Sequence, residues 1–477
     1  MSDVQRFAKN TVALFIAQII SSILSILLGI FIARNLGDIA LGKYSFAYSF
    51  VIFFSIFIDL GYGTFLIREV ARDKSKVNTF VSNLISIRAI LGTIVFIFII
   101  ITINLMGYPS DTKNVVYIFA FYILIESFAT IYRSVYRAFE RMEYEAFIKI
   151  LSDLLRVSLA LLFIFLGYGL IVIGLLFVFS GIFELFISTI VCERKFVKSK
   201  TGIDFSFFKS TIKIALPLVM VSLFKTVFIK ADTIMLSIMK GDAVVGWYTA
   251  AYSLVLGLRF LPGLIVTAVV PTLSYYYVTS KTKLKSIYEK YFRYLIILGL
   301  PAATGITLLS DKIILTVYGA QFTNSIIALQ ILSWDVLLIF LYTLLSGLLI
   351  SIDWQNKMAI AAGVTALMNV FINIILIPYY SYVGAAVATV ISESFLLIIY
   401  FYLVSKKIYL LSVHKILAKP LVSLVVMSFF ILYFNWLNLY ILVIVGAIIY
   451  LGTLYLIKGI SKEDLALIRQ IMKTSKN

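Results

Sequence analysis

The sequence predicts an all-α membrane protein of about fourteen transmembrane helices, with two six-helix lobes related by a parallel pseudo-repeat and two extra helices after them. Three observations carry that prediction. First, 62% of the 477 residues are hydrophobic and 13% charged, where a soluble globular chain is roughly half apolar and a quarter charged. Second, predominantly apolar runs of about 20 residues or more, the length a helix needs to cross a bilayer core, recur along the whole chain. Third, a short phrase is written twice. Residues 37–49 read GDIALGKYSFAYS and residues 241–253 read GDAVVGWYTAAYS, with seven of thirteen positions identical. In both places an apolar run ends, a polar turn follows and a second apolar run begins. Fixed-offset self-similarity in an apolar chain points to a transporter built from repeats.

The spans fall at 9–33, 39–66, 78–105, 114–136, 144–167, 169–192 and 210–238, then at 243–273, 290–310, 325–351, 356–377, 383–405, 414–434 and 437–457. The fifth and sixth are parted only by the Gly167–Gly169 turn. Residues 10–33 carry no charge and exceed a secretory h-region of roughly 7–15 residues, so the first helix is expected to stay as a signal anchor. The repeats open at spans one and seven. Six spans is an even number, so both halves enter the membrane in the same direction. The expected organisation is a first lobe at 1–200, a second at 201–405, the two extra spans at 406–457 and a cytoplasmic amphipathic tail at 458–477. The tail has Ser461 and Asp464 at capping-box spacing and Leu465, Ile468 and Met472 on one face.

The formal charge is +18, and its placement assigns it to orientation rather than to nucleic acid. With the N-terminus inside, 31 of the 41 Lys and Arg residues fall in cytoplasmic segments and adjoining helix ends, five fall outside and five lie within spans. Both termini are therefore expected in the cytoplasm, in a multi-pass protein of the cell membrane. The basic connection from Glu193 to Phe208 reads as a solvated linker that also attracts inner-leaflet lipid. The single cysteine, Cys192, excludes an internal disulfide.

Several stretches resemble the polysaccharide flippases of the MOP superfamily, the Wzx-type proteins and their bacterial and archaeal relatives. They are FAKNTVALFIAQIISSILSILLGIFIARNLGDIALGKYSFAYS at 7–49, YRSVYRAFERMEYEA at 132–146 and ALPLVMVSLFKTVFIKADTIMLSIMKGDAVVGWYTAAYS at 215–253, with LRFLPGLIVTAVVPTLS at 258–274 and VGAAVATVISE at 383–393. The resemblance covers nearly the whole chain. It implies two lobes around a central cavity faced by spans one, two, seven and eight. It also implies transport of a polyprenyl-linked oligosaccharide from the inner to the outer leaflet by alternating access. Within the same superfamily the alternatives are a lipid II-type peptidoglycan precursor flippase and a multidrug/cation antiporter. By resemblance the antiporter branch has twelve spans and an acid in its first helix, whereas residues 10–33 here contain none.

Ionisable groups at membrane depth are costly, so each is a functional candidate. The deep cations are Arg88, Arg156, Lys225, Lys230 and Arg259. A lipid phosphate needs fixed positive charge, which Arg supplies as a bidentate donor and Lys as a point charge. Lys225 and Arg259 are the first candidates for substrate binding, then Arg88, with Lys230 as a further cavity cation. The competing reading is structural pairing with the buried acids Asp59, Glu126, Asp153, Glu184, Asp232, Asp335 and Glu393. Arg156 and Asp153, three apart on one helix, are assigned to structure. Asp232, Asp59, Asp335 and Glu393 are candidates for charge balance or for coupling to Na⁺ or H⁺. Arg133, Arg137 and Arg141 stripe one helix face, as ordinary positive-inside residues or as a capture site for an inner-leaflet head group. Four of the seven prolines, Pro217, Pro262, Pro271 and Pro301, predict bent helices in the second lobe. Tyr44, Tyr48, Tyr248 and Tyr252 read as interfacial packing or as a sugar-stacking surface.

No metal cluster, nucleophile motif or phosphate-cradling Gly-Lys-Ser/Thr loop is present, and the sole histidine, His414, falls on the cytoplasmic side. The external connections are too short for the catalytic loop of a glycan polymerase or ligase, so the sequence predicts a transporter and not an enzyme. No cofactor is expected beyond a coupling ion. The expected partners are the lipid-linked oligosaccharide and membrane lipids, with glycan-assembly enzymes alongside a functional monomer and no nucleic acid.

Overall fold

The computed structural model describes residues 3–198 and 204–459, so the expected tail helix lies outside the described residues. Among the described residues fifteen α-helices follow one another: α1 Asp3–Asp59, α2 Tyr62–Arg72, α3 Val77–Leu105, α4 Ser110–Ala138, α5 Met142–Phe165, α6 Leu170–Lys195, α7 Phe205–Lys240, α8 Asp242–Leu256, α9 Phe260–Thr279, α10 Lys281–Leu308, α11 Ser310–Val317, α12 Ser325–Ser351, α13 Gln355–Lys407, α14 Val413–Tyr433 and α15 Leu439–Leu456. Among the described residues there is no strand.

Among the described residues, ten helical stretches are long and apolar enough to cross a membrane. Two of these, of 50 and 53 residues, would run about 75–80 Å as single straight helices, far beyond a bilayer core of about 30 Å. Each breaks where the sequence places a turn, at Gly37 in α1 and at Ser381 in α13. Each therefore holds two crossings. With α5 and α7, the described helices supply the fourteen crossings read from the apolar runs. The break at Gly37 has φ 88°, and the repeat-equivalent Gly241 has φ 87°. The same residue thus serves the same left-handed turn in both copies of the motif, a conformation that costs glycine least.

Packing divides the chain into two compact units. One comprises Met1–Ser253 with Ala366–Ala385, and the other Leu254–Thr365 with Ala386–Asn477. This partition differs from lobes drawn at the repeat boundary, because α7 and most of α8 pack with the first unit.

In the first unit α4 packs on α6, while α1 packs on α5, α4 and α7. The second span was expected to run to residue 66, but α1 ends at Asp59 and the chain turns through Leu60 and Gly61, with φ 44° and 75°. The short α2 that follows buries Tyr62, Phe65, Leu66 and Val70 on one face and packs against α4. That break fixes where the Asp59 carboxylate sits.

In the second unit α12 packs on α9 and α10, and α14 on α10 and α15. The span expected at 243–273 is interrupted between α8 and α9. Pro262 has no N–H to give to the Leu258 carbonyl. Just before it the helix tightens, with Leu258 N–H donating to Val255 O at 3.0 Å and Arg259 N–H to Leu256 O at 3.1 Å. Arg259 therefore stands immediately before the start of α9. Pro271 and Pro301 lie inside α9 and α10, and Pro217 is in a part of α7 whose side chains fall outside the described ones.

Candidate functional site

A polar cavity of about 420 Å³ lies within the first unit, lined from α1, α2, α3 and α4. Asp59, Arg88, Glu126, Arg133 and Arg137 face it, among the hydroxyls of Ser55, Thr64, Ser127, Thr130 and Ser134. The cavity brings Asp59, Arg88 and Glu126, which the sequence placed at membrane depth, together with Arg133 and Arg137 of the cytoplasmic-end stripe.

Each guanidinium is held in place. Arg88, only 1% exposed on α3, donates from Nη2 to Asp59 Oδ1 and from Nη1 to Ser127 O and Thr130 Oγ1. The Asp59 side chain is 45% exposed, so the carboxylate forms cavity wall while the cation lies behind it. Arg133 donates to Glu126 Oε1, two turns earlier on α4, at 3.0 Å, and its Nε lies 3.4 Å from Glu184 Oε1 on α6. Arg137 makes a bidentate pair with the buried Glu145 of α5, at 2.8 and 2.6 Å. Arg141 pairs with Glu143 at 3.0 Å on the exposed surface and is not in the cavity wall. Of the three-arginine stripe, two members therefore join Arg88 and Asp59 in one cavity.

The other sequence candidates are placed elsewhere. Lys225, on α7, is exposed and has no ion-pair or hydrogen-bond partner among the described residues. Lys230 sits 5.6 Å from the ring centroid of Tyr48, a residue of the cavity wall, in cation–π geometry. Tyr44 and Tyr48 stack on each other and pack edge-on against Phe119, which is the packing reading of these aromatics. In the second unit Arg259 pairs with Glu393 at 2.9 Å and lies 4.0 Å from Asp335, both carboxylates being fully buried. The expected Asp153–Arg156 pair forms, at 2.5 Å, with Ser21 donating to the second Asp153 oxygen.

Asp232 is 1% exposed and accepts from Tyr248 Oη at 2.8 Å and from Asn373 Nδ2 at 2.7 Å. Asn373 also donates to Asn369, one turn earlier on α13, at 3.1 Å. The two asparagines and Tyr248 were missed as partners. Their signal was present, since two amides four apart in a membrane span are as conspicuous as a buried charge.

The sequence matches the family described as Polysaccharide biosynthesis protein over residues 7–277, more than half of the chain. The chain belongs to this family. Relatives within reach of this polysaccharide biosynthesis protein include the probable low-salt glycan biosynthesis flippase Agl15 of Haloferax volcanii, 33% identical over 96 residues. That match spans 20% of this chain and only 20% of the relative's own length. The capsular polysaccharide biosynthesis protein CapF of Staphylococcus aureus is 24% identical over 405 residues, covering 83% of this chain and 98% of CapF. Among solved structures, the lipid II flippase MurJ in an inward-closed conformation aligns with TM-score 0.77 at 18% identity, covering 92% of this chain and 97% of MurJ. An inward-facing multidrug resistance MATE transporter aligns with TM-score 0.63 at 17% identity, covering 81% of this chain and 95% of the transporter. The fold is that of the MOP superfamily, as the resemblance implied.

Proposed function

We propose that this polysaccharide biosynthesis protein is a flippase. It moves an oligosaccharide linked to polyprenyl phosphate or pyrophosphate from the inner to the outer leaflet of the cytoplasmic membrane, by alternating access, to supply surface polysaccharide or glycan assembly. The observation that carries the reading is the cavity in which Arg88, Arg133 and Arg137 stand among hydroxyl donors. Guanidinium groups match phosphoryl oxygens bidentately, and hydroxyls suit the sugar. The family match and the likeness to a glycan biosynthesis flippase and a capsular polysaccharide biosynthesis protein support the cargo class. Both termini face the cytoplasm in this reading, because the Lys and Arg bias demands it. The protein works as a monomer beside glycan-assembly enzymes.

The pairing of each cavity arginine with a carboxylate gives the cycle a logic. The empty cavity is close to neutral and therefore tolerable at membrane depth. An arriving phosphate exchanges with Asp59 or Glu126 for the guanidinium donors. The displaced carboxylate then takes up a proton or Na⁺, which would tie cargo movement to an ion gradient. Asp232 and the Arg259–Asp335–Glu393 cluster are the further coupling candidates, the cluster because two buried carboxylates share one guanidinium. Lys225, exposed and without a described partner, is open to the same head group. The fold likeness to MurJ supports a second reading in which a lipid II-type precursor is the cargo.

The test is complementation of cells that lack their own oligosaccharide flippase. The wild-type chain restores surface glycan; Arg133→Gln with Arg137→Gln, present in the membrane at the wild-type level, does not. Restoration by that variant would remove the cavity from the account.

A further inference from the structure

Hydrogen-bond acceptors gather at one place in the wall of the first unit's cavity. Arg88 binds Asp59 at Oδ1, and among the described residues nothing donates to the second oxygen, Oδ2. The Asp59 side chain is half-exposed in the cavity wall, so that carboxylate oxygen is open to whatever enters. Ser134 Oγ, in the same wall, donates to Thr130 O at 2.9 Å. With its O–H engaged by the helix, Ser134 offers its lone pairs to the cavity. Between these two acceptors lies Gly63 of α2. A Cβ there would stand 3.3 Å from Asp59 Oδ1, 3.3 Å from Ser134 Oγ and 3.7 Å from Asp59 Oδ2. The absent side chain of Gly63 is therefore a notch with acceptors on both sides.

A notch bounded by acceptors takes a donor. Phosphoryl oxygens are acceptors and carry negative charge, so they belong with the guanidinium groups of Arg133 and Arg137. Of the parts of a lipid-linked oligosaccharide, the sugar is the one that carries O–H donors. The spacing agrees with this division. Arg137 lies one turn beyond Ser134 and two turns beyond Thr130 on α4, about 5–10 Å along the helix. A phosphate and the sugar bonded to it are neighbours on that scale.

We propose that the notch at Gly63 is the subsite for the first sugar of the cargo, one of whose hydroxyls donates to Asp59 Oδ2 while the phosphate lies on Arg133 and Arg137. The inference rests on the flippase reading above and deepens it. It gives the two cavity carboxylates different parts: Glu126 yields Arg133 to the phosphate, whereas Asp59 keeps Arg88 and binds sugar. Gly63 then sets specificity, because a methyl group in the notch closes off both acceptors.

The test uses the full-length protein in detergent and native mass spectrometry with three probes of equal charge. They are undecaprenyl phosphate esterified with a hexose, with an N-acetylhexosamine or with methanol. The wild-type protein retains at least one sugar ester roughly tenfold more tightly than the methyl ester, the worth of one hydrogen bond to a carboxylate. Gly63→Ala, which favours the helix it sits in, lowers that sugar ester to the level of the methyl ester and leaves the methyl ester unchanged. Ser134→Ala adds no bulk and reduces the preference about fivefold. Arg133→Gln with Arg137→Gln loses all three probes. Equal retention of the three by wild type, with loss of all in the arginine variant, overturns the sugar notch and leaves the cationic cavity standing. A preference that persists in both Gly63→Ala and Ser134→Ala overturns it as well. If retention by Gly63→Ala keeps the preference and only loses a response to Na⁺, Asp59 holds an ion instead of a sugar. Retention of no probe by wild type removes the flippase reading and the notch with it.

Discussion

Gly42 and Asp242 meet backbone to backbone: a Cβ on Gly42 would overlap the Asp242 carbonyl. The contact is reciprocal, because a Cβ on the repeat-equivalent Gly246 would overlap the Asp38 carbonyl. Trp247 Nε1 adds a hydrogen bond to Asp38 Oδ2 at 2.8 Å. The two copies of the motif thus clasp each other, and the glycines are there because nothing larger fits. Gly42→Ala and Gly246→Ala should each cost about 1–3 kcal/mol by forcing the backbones apart. Because they strain one contact from its two sides, the double variant should cost less than the sum of the singles. Thermal unfolding in detergent measures both quantities, and strict additivity would mean that the sites are independent.

Arg88 and Asp59 should behave as a pair. Removing the acid leaves a guanidinium buried at membrane depth, at a cost below the about 3–5 kcal/mol of a fully buried pair because the Asp59 side chain is half-exposed. Asp59→Ala is therefore expected to reduce the folded protein recovered from membranes. A charge-free pair, Asp59→Asn with Arg88→Met, should recover more than either single change. Recovery no better than that of the worse single variant would show that the two residues act separately.

Arg137 and Glu145 separate a structural role from a ligand role. If the bidentate pair only joins α4 to α5, the exchange Arg137→Glu with Glu145→Arg restores glycan display together with protein level. The account predicts normal protein level with display still lost, because the swap moves the cation out of the cavity wall.

The buried carboxylate of Asp232 offers a test of coupling. Tyr248→Phe removes one hydrogen bond to a charged acceptor, for about 1.5–3 kcal/mol of stability. Asp232→Asn keeps the local shape and removes the charge. If Asp232 couples transport to an ion, that variant should still be recovered from membranes, while its transport no longer responds to a Na⁺ or H⁺ gradient. An unchanged response would assign the residue to packing.

The fold was legible because the bilayer makes it so. Apolar run length sets each crossing and the repeat sets the two turns at Gly37 and Gly241, while the MOP-type fold came from the family resemblance. The finer breaks at Leu60–Gly61 and before Pro262 were not legible, since a kinked membrane helix and a straight one share the same hydropathy. The site was legible in part. Charge at depth singled out Arg88 and Asp59, and four-residue spacing singled out Arg133 and Arg137. Their assembly was not, because Arg88 reaches partners 29 to 42 residues away in sequence. Lys225 and Arg259 ranked first on depth and on their place in spans seven and eight, which the resemblance turns to the cavity, but neither reveals that Arg259 sits beside Glu393 while Lys225 stays exposed.

The most direct test of the central claim is transport itself. The purified protein would be placed in liposomes with a labelled polyprenyl-pyrophosphate oligosaccharide, and movement of the glycan across the bilayer followed by its accessibility to an added glycosidase. The account predicts that wild-type protein exposes the glycan and that Arg133→Gln with Arg137→Gln, reconstituted in equal amount, exposes no more than protein-free liposomes. Equal exposure by the variant and the wild type would contradict it.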